Sequence, residues 1–245
     1  MLYSLRTLGV LALRADTGGE PLAENRRKPL ALLAILAVAG DRGITRDKIS
    51  AYLWPEGRTE RVRGVLKQTL YSLRQELGEP NLFLGEADLR LNPAVIDSDV
   101  AAFARAIAVG DAAQATDIYQ GPFLDGFHLS DTSSFDRWVD DQRDRLARLF
   151  ATQIERLALA AMGRREPRVA AELWLRLTAQ DPFDVRAVSG LIHACLADGD
   201  RPGAIRYAER HMTLLRKELE ITPDPEIRQL VEQARARPAP RPDTA

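Results

Sequence analysis

The period of the hydrophobic positions changes along this chain, and each change marks an element. Leu2 to Leu13 reads as short β-strands broken at Gly9, and Asp16-Thr-Gly-Gly19 reads as a turn. Pro29 then opens a helix carrying Leu30, Leu32, Leu33, Ile35, Leu36 and Val38. It is apolar nearly all round, which predicts the buried central helix of a small domain. Gly40-Asp-Arg-Gly43 ends it. Thr45 is placed to N-cap a short helix through Ile49, Tyr52 and Leu53, with Asp47 in its first turn. Trp54-Pro55 and Gly57 close that helix. Thr59 to Leu77 predicts a longer third helix that stops at Gly78. Leu82-Phe-Leu84 and Leu89-Arg-Leu91, separated by Gly-Glu-Ala-Asp, predict a β-hairpin. Strands, three helices and a terminal hairpin describe a winged helix-turn-helix.

From Asp97 onward the strand signals cease. Helical periodicity runs over 99–108, 111–119, 134–162, 167–179, 184–198, 202–219 and 225–236. Ala170 and Ala204 each lie early in a helix that follows a Gly- and Pro-marked turn, and their spacing is the tetratricopeptide period of about 34 residues. The expected fold is therefore mainly α. A winged helix-turn-helix (α+β) occupies residues 1–96, an all-α tetratricopeptide-like domain occupies 97–236, and a proline-rich tail, 237–245, is expected to be disordered. Residues 1–96 have enough length for their own core, so that fragment is expected to fold alone.

Composition narrows the function. The 245 residues are 45% hydrophobic and 28% charged, an ordinary globular balance. The longest run without a charged or turn residue, Leu30–Ala39, is far short of the ~20 residues a membrane span needs. The first residues lack a secretory layout, so the expected location is cytoplasmic. The formal charge of −1 hides a mild split, with the winged-helix half net basic and the remainder net acidic. Only four of the 34 cations are Lys, so an isolated Arg says little and only clustering on one face counts.

Such a face exists on the third helix. Val62, Leu66, Leu70, Leu73 and Leu77 gather on one side of the wheel. Arg63, Gly64, Lys67, Tyr71 and Arg74 gather on the other, with Gln68 and Gln75 flanking and Glu60 as the only acid. Arg and Lys suit guanine edges and phosphates, Gln suits adenine, and an α-helix fits the major groove. Gly64 costs helix stability but admits close approach to a backbone. A solvated basic face is the plainer reading of such a helix. The capped short helix before it and the hairpin after it favour binding to double-stranded DNA. Supporting phosphate contacts are expected from Arg26, Arg27 and Lys28 before the central helix, from Arg46 and Lys48 on the short one, and from Arg90 on the wing. Glu86 and Asp88 near the wing tip argue against its deep insertion into the minor groove.

These residues together resemble the SARP-type (antibiotic-regulatory-protein) bacterial activators, which join a winged helix to a helical bacterial transcriptional activation domain. The likeness runs through Arg27-Lys-Pro-Leu-Ala-Leu-Leu-Ala, Ile44-Thr-Arg-Asp-Lys-Ile, Tyr52-Leu-Trp54-Pro and Tyr71-Ser-Leu-Arg-Gln-Glu-Leu77. It continues in Asp97-x-Asp99-x-x-x-Phe103, Tyr119-x-Gly-x-Phe-Leu-x-Gly126, Phe135-x-x-Trp138, Arg143-x-x-Leu146 and Glu218-Leu-x-Ile-x-Pro-Asp-Pro-Glu226. The resemblance implies sequence-specific DNA binding near promoters, often at direct repeats, with the helical half aiding contact with RNA polymerase. It leaves a homodimer open. Two positions depart from the family: Gly64 stands where a polar residue is common, and the wing lacks the usual glycine-aromatic turn.

Other chemistry finds little support. His128, His193 and His211 have no metal-ligand spacing, and the single Cys195 makes neither an internal disulfide nor a Cys-based zinc site. Cys195 reads as a core residue, and Trp138 and Trp174 read as packing. No nucleophile, base and cradle assemble, so neither an enzyme nor a cofactor is expected. The rival reading is a tetratricopeptide-type interaction adaptor whose winged helix serves for docking or dimerisation.

Overall fold

The computed structural model describes residues 2–16, 26–130, 132–222 and 224–236. The expected turn beyond Asp16 and the expected tail lie outside the described residues. The chain divides into two compact units, Met1–Phe150 and Ala151–Ala245.

In the first unit, β1 (Tyr3–Arg6) pairs antiparallel with β2 (Ala12–Ala15) and parallel with β6 (Ile96–Ser98), giving the order β2-β1-β6. The strand β6 corrects the expectation that strands end before Asp97. It is three residues long, too short for alternation to betray, and it exists because β1 offers it an edge. α1 (Arg27–Ala39) begins two residues before Pro29, and Leu30 through Ala37 are all buried. Burying each of its Leu and Ile side chains contributes about 1.5–3 kcal/mol, so the uniformly apolar run becomes the central helix. β3 (Ile44–Thr45) leads into α2 (Arg46–Leu53), where the Thr45 side chain accepts from the Lys48 backbone N–H at 3.3 Å. α3 (Thr59–Glu76) buries Val62, Leu66, Leu70 and Leu73. β4 (Phe83–Leu84) and β5 (Asp88–Leu91) form the predicted hairpin, and β3 adds a third strand in the order β3-β5-β4. Gly85 takes φ +89° in the hairpin turn, where a Cβ would lie 2.0 Å from the Asp88 carbonyl oxygen.

α4 (Asp99–Ala108), α5 (Ala112–Ile118) and the start of α6 (Ser133–Gly163) belong to this same unit. Asp99 is the principal tie. Its carboxylate accepts from the Thr7 and Leu8 backbone N–H groups at 2.8 Å, the Thr7 hydroxyl at 2.6 Å and the Val100 N–H at 2.8 Å. Thr7 and Leu8 are fully buried, so without Asp99 their N–H groups would lack this acceptor. The segment after β1 is also pinned at Leu124, whose N–H donates to the Thr7 carbonyl. A second tie is aromatic: the Trp138 ring centroid lies 5.6–5.7 Å from those of Tyr52 on α2, Phe123 and Phe135. The Ser134 hydroxyl donates to the Ala51 carbonyl at 2.9 Å, and Arg143 donates to the Phe123 and Leu124 carbonyls. These contacts argue against independent folding of a 1–96 fragment, because the cut removes β6 and every one of these partners. The division by compactness falls inside α6, whereas the change of sequence pattern falls near Asp97.

The second unit comprises the end of α6, α7 (Pro167–Gln180), α8 (Val185–Ala197), α9 (Arg201–Leu214), a five-residue π-turn at Leu215–Leu219, and α10 (Pro225–Ala236). α7 packs on α8, α8 on α9, and α10 on both α8 and α9. Ala170 and Ala204, 0% and 1% exposed, are buried near the starts of α7 and α9. Gly190 is needed for close approach, since a Cβ there would sit 2.4 Å from the Trp174 ring. Cys195 is buried, and burial together with Asp200 and Asp198 pushes its thiol up, as suits a core residue.

Candidate nucleic-acid interface

The third helix has the two faces its sequence requires. Leu66 and Leu70 close against the domain, while Arg63, Gly64, Lys67, Gln68, Tyr71 and Gln75 are exposed. Tyr71 is 56% exposed on this face. At Gly64 a Cβ would meet nothing within 4 Å, so the fold does not demand glycine there. Arg58 and Arg61, which the wheel argument passed over, are exposed cations at the helix start. There they add to the partial positive charge of the helix N-terminus.

A cleft of about 700 Å³ opens between α3, the start of α2 and the wing. Arg46, Arg63, Lys67 and Arg74 line it together with Asp47 and Glu86. Asp47 pairs with Arg63 at 3.3 Å, and both side chains are mostly exposed. Exposed pairs of this kind are worth about 0–1 kcal/mol, so a phosphate can displace Asp47 at little cost. Arg46 donates to the Glu86 carbonyl oxygen, bracing the wing turn against α2.

The remaining expected cations, Lys48 excepted, have other engagements. Arg26 pairs with Glu76 at the end of α3. Arg27 donates from Nε to the His128 carbonyl at 2.9 Å, and its guanidinium lies 5.1 Å from the centre of the Phe127 ring. Lys28 lies 5.5 Å from the Trp54 ring centre. Arg74 is half-buried over Phe83, and its Nε has no hydrogen-bond partner. Arg90 donates to the Asp41 carbonyl at 3.3 Å. Lys48 is exposed on α2. The cations the sequence grouped thus divide into an outward set, Arg63, Lys67 and Lys48, and a set held by neighbouring groups.

Among the described residues no group of three or more His, Cys, Asp or Glu is placed to hold a metal, and no helix is long and apolar enough to cross a membrane.

Residues 96–235, more than half of the chain, match the family model "Bacterial transcriptional activator domain". The chain belongs to that family. The match begins at β6 and includes Asp99, so the family region contributes both the strand and the carboxylate that hold the N-terminal segment. The fold is similar to a solved structure of Mycobacterium tuberculosis EmbR in complex with a low-affinity phosphopeptide, with a TM-score of 0.68 and 23% identity over 97% of this chain. The chain spans 66% of that protein's length, slightly under two thirds. No curated protein sequence matches the chain. The resulting assignment is a mainly α chain in which a winged helix precedes the helical transcriptional-activator domain.

Proposed function

We propose that the chain is a cytoplasmic activator that binds promoter repeats in double-stranded DNA through α3, while its helical half contacts RNA polymerase. The observation that carries this reading is the outward face of α3. Arg63, Lys67, Gln68 and Tyr71 stand exposed on a helix whose opposite face is buried. That combination of a phosphate-seeking charge and base-reading amides is what a major-groove helix needs. Residues 1–96 carry the DNA contacts in this reading, residues 97–236 the activating ones, and Arg26, Arg27, Lys28 and Arg90 shape the surface more than they touch phosphate.

Electrophoretic mobility on promoter fragments with excess non-specific competitor tests it. A retained specific shift is expected, together with footprints at repeated half-sites. Absence of any shift at low salt overturns the reading in favour of a protein-interaction adaptor. The polymerase contact is tested by transcription at promoter saturation, where Lys67→Ala should leave activation intact once occupancy is restored.

A further inference from the structure

The cleft beside α3 is basic, yet it holds an acid paired with one of its cations. Arg46, Arg63, Lys67 and Arg74 line it, and Asp47 and Glu86 stand among them. An acid on a surface that meets phosphate opposes the binding of DNA. Asp47 has a local benefit to set against that cost, because a carboxylate in the first turn of α2 stabilises the helix N-terminus. That benefit needs no partner on α3, but Asp47 has one: Arg63 Nη2 donates to its Oδ1 at 3.3 Å. At Glu86 the backbone carbonyl, not the carboxylate, receives Arg46.

The pair bears on what Arg63 can bind. A guanidinium carries five N–H donors in a planar fork. Asp47 takes one of them, and both side chains stay mostly exposed, 62% for Arg63 and 72% for Asp47. The remaining donors suffice for O6 and N7, the two acceptors of a guanine edge. A phosphate makes a different demand. Its charge competes with the carboxylate for the guanidinium, and where it wins, Asp47 is left unpaired beside a second negative charge. An unpaired charge set against the wrong partner is a general source of specificity.

We propose that Asp47 is a positioning residue that sets DNA specificity: it holds Arg63 for a guanine edge and penalises the use of Arg63 on phosphate. The proposal rests on the reading that α3 enters DNA. On a site with guanine opposite Arg63, Asp47 keeps its pair, and the pair fixes the fork in one orientation. On other sequences Arg63 turns to the backbone and the pair is lost. An exposed pair contributes little to the free protein, so the effect falls on the ratio between sites and not on stability.

Equilibrium binding of the full chain to a footprinted promoter repeat, and to a scrambled duplex of equal composition, tests this. Asp47→Asn keeps the side-chain shape and removes the charge. It is expected to tighten scrambled binding without tightening cognate binding, so that the ratio of the two affinities falls about fivefold, the upper range for an exposed pair. In an Arg63→Ala background the same change should leave the ratio as it is, because Asp47 acts through Arg63. Loss of the first-turn charge alone would lower the melting temperature slightly and leave the ratio unmoved. An unchanged ratio in Asp47→Asn, including equal tightening on both duplexes, overturns the proposal, and so does a fall that persists without Arg63. Failure of the α3 reading looks different: the wild-type chain would then prefer neither duplex, and the proposal would fall with it.

Discussion

The basic cluster Arg26–Lys28 and the basic face of α3 carry the same residue types, yet the fold treats them oppositely. Arg26 is paired with Glu76, Arg27 is fixed to the His128 carbonyl and lies over Phe127, and Lys28 lies over Trp54. On α3, Lys67, Gln68 and Tyr71 point to solvent, and Arg63 has only an exposed partner in Asp47. Cations at the start of a buried helix find neighbours on the elements that cover it. Cations on the outer face of a helix whose other side is fully buried find water, or a ligand. The first set stabilises the unit, and the second is available for recognition.

The largest effect that sharpens this contrast concerns the elements that hold the first set in place. A 1–96 fragment should lack a cooperative melt, whereas 1–150 should show one, because only the longer piece retains β6, Asp99 and the rings of Phe123, Phe135 and Trp138. Cooperative melting of 1–96 at the stability of 1–150 would break the comparison. Next in size, Asp99→Ala should destabilise by about 3 kcal/mol or more, since charge-assisted hydrogen bonds contribute about 1.5–3 kcal/mol each. Urea titration of full-length protein measures it, and Asp99→Asn should recover part of the loss.

If only Arg63, Lys67 and Lys48 reach phosphate, log K against log salt should have a slope near −3, about 0.9 per contact. A slope near −5 would restore the 26–28 cluster to the interface, and a slope near zero would remove α3 from it. Within the two sets, Lys67→Ala should cost about 1–3 kcal/mol of DNA binding with an unchanged melting temperature. Arg27→Ala should instead cost about 1 kcal/mol of stability with little change in site preference. The reverse assignment of those two losses would refute the division. The smallest effect is at Gly64, where Ala has room: Gly64→Ala should raise stability by about 1 kcal/mol. Any accompanying fall in DNA affinity would show that a DNA backbone approaches α3 there.

Local signals located nearly every helix. Thr45 caps α2, Gly78 follows α3 with φ +65°, and the periodic runs from 99 to 236 became α4 to α10 within a residue or two, except where α9 passes into the π-turn. The buried and exposed sides of α3 were equally legible, because a 3.6-residue period assigns a face before any partner is known. The parallel strand β6 was not legible, nor was β3, since two- and three-residue strands are defined by the edge that receives them.

What the sequence by itself determined is the set of helices and their order, the wing hairpin, the winged-helix character of the N-terminal part and the face of α3 that stays outside. Hydrophobic period, caps and turn residues act over a few positions, and those ranges are contained in the chain. Only the tertiary structure decided which cations are committed, that residues 97–150 complete the first compact unit, and that Asp47 meets Arg63 in the basic cleft. Each depends on groups from different elements, such as Arg27 with His128, Thr7 with Asp99 and Asp47 with Arg63. A hydrogen bond or a cavity wall is specified by distance in space, and local periodicity carries no record of that distance.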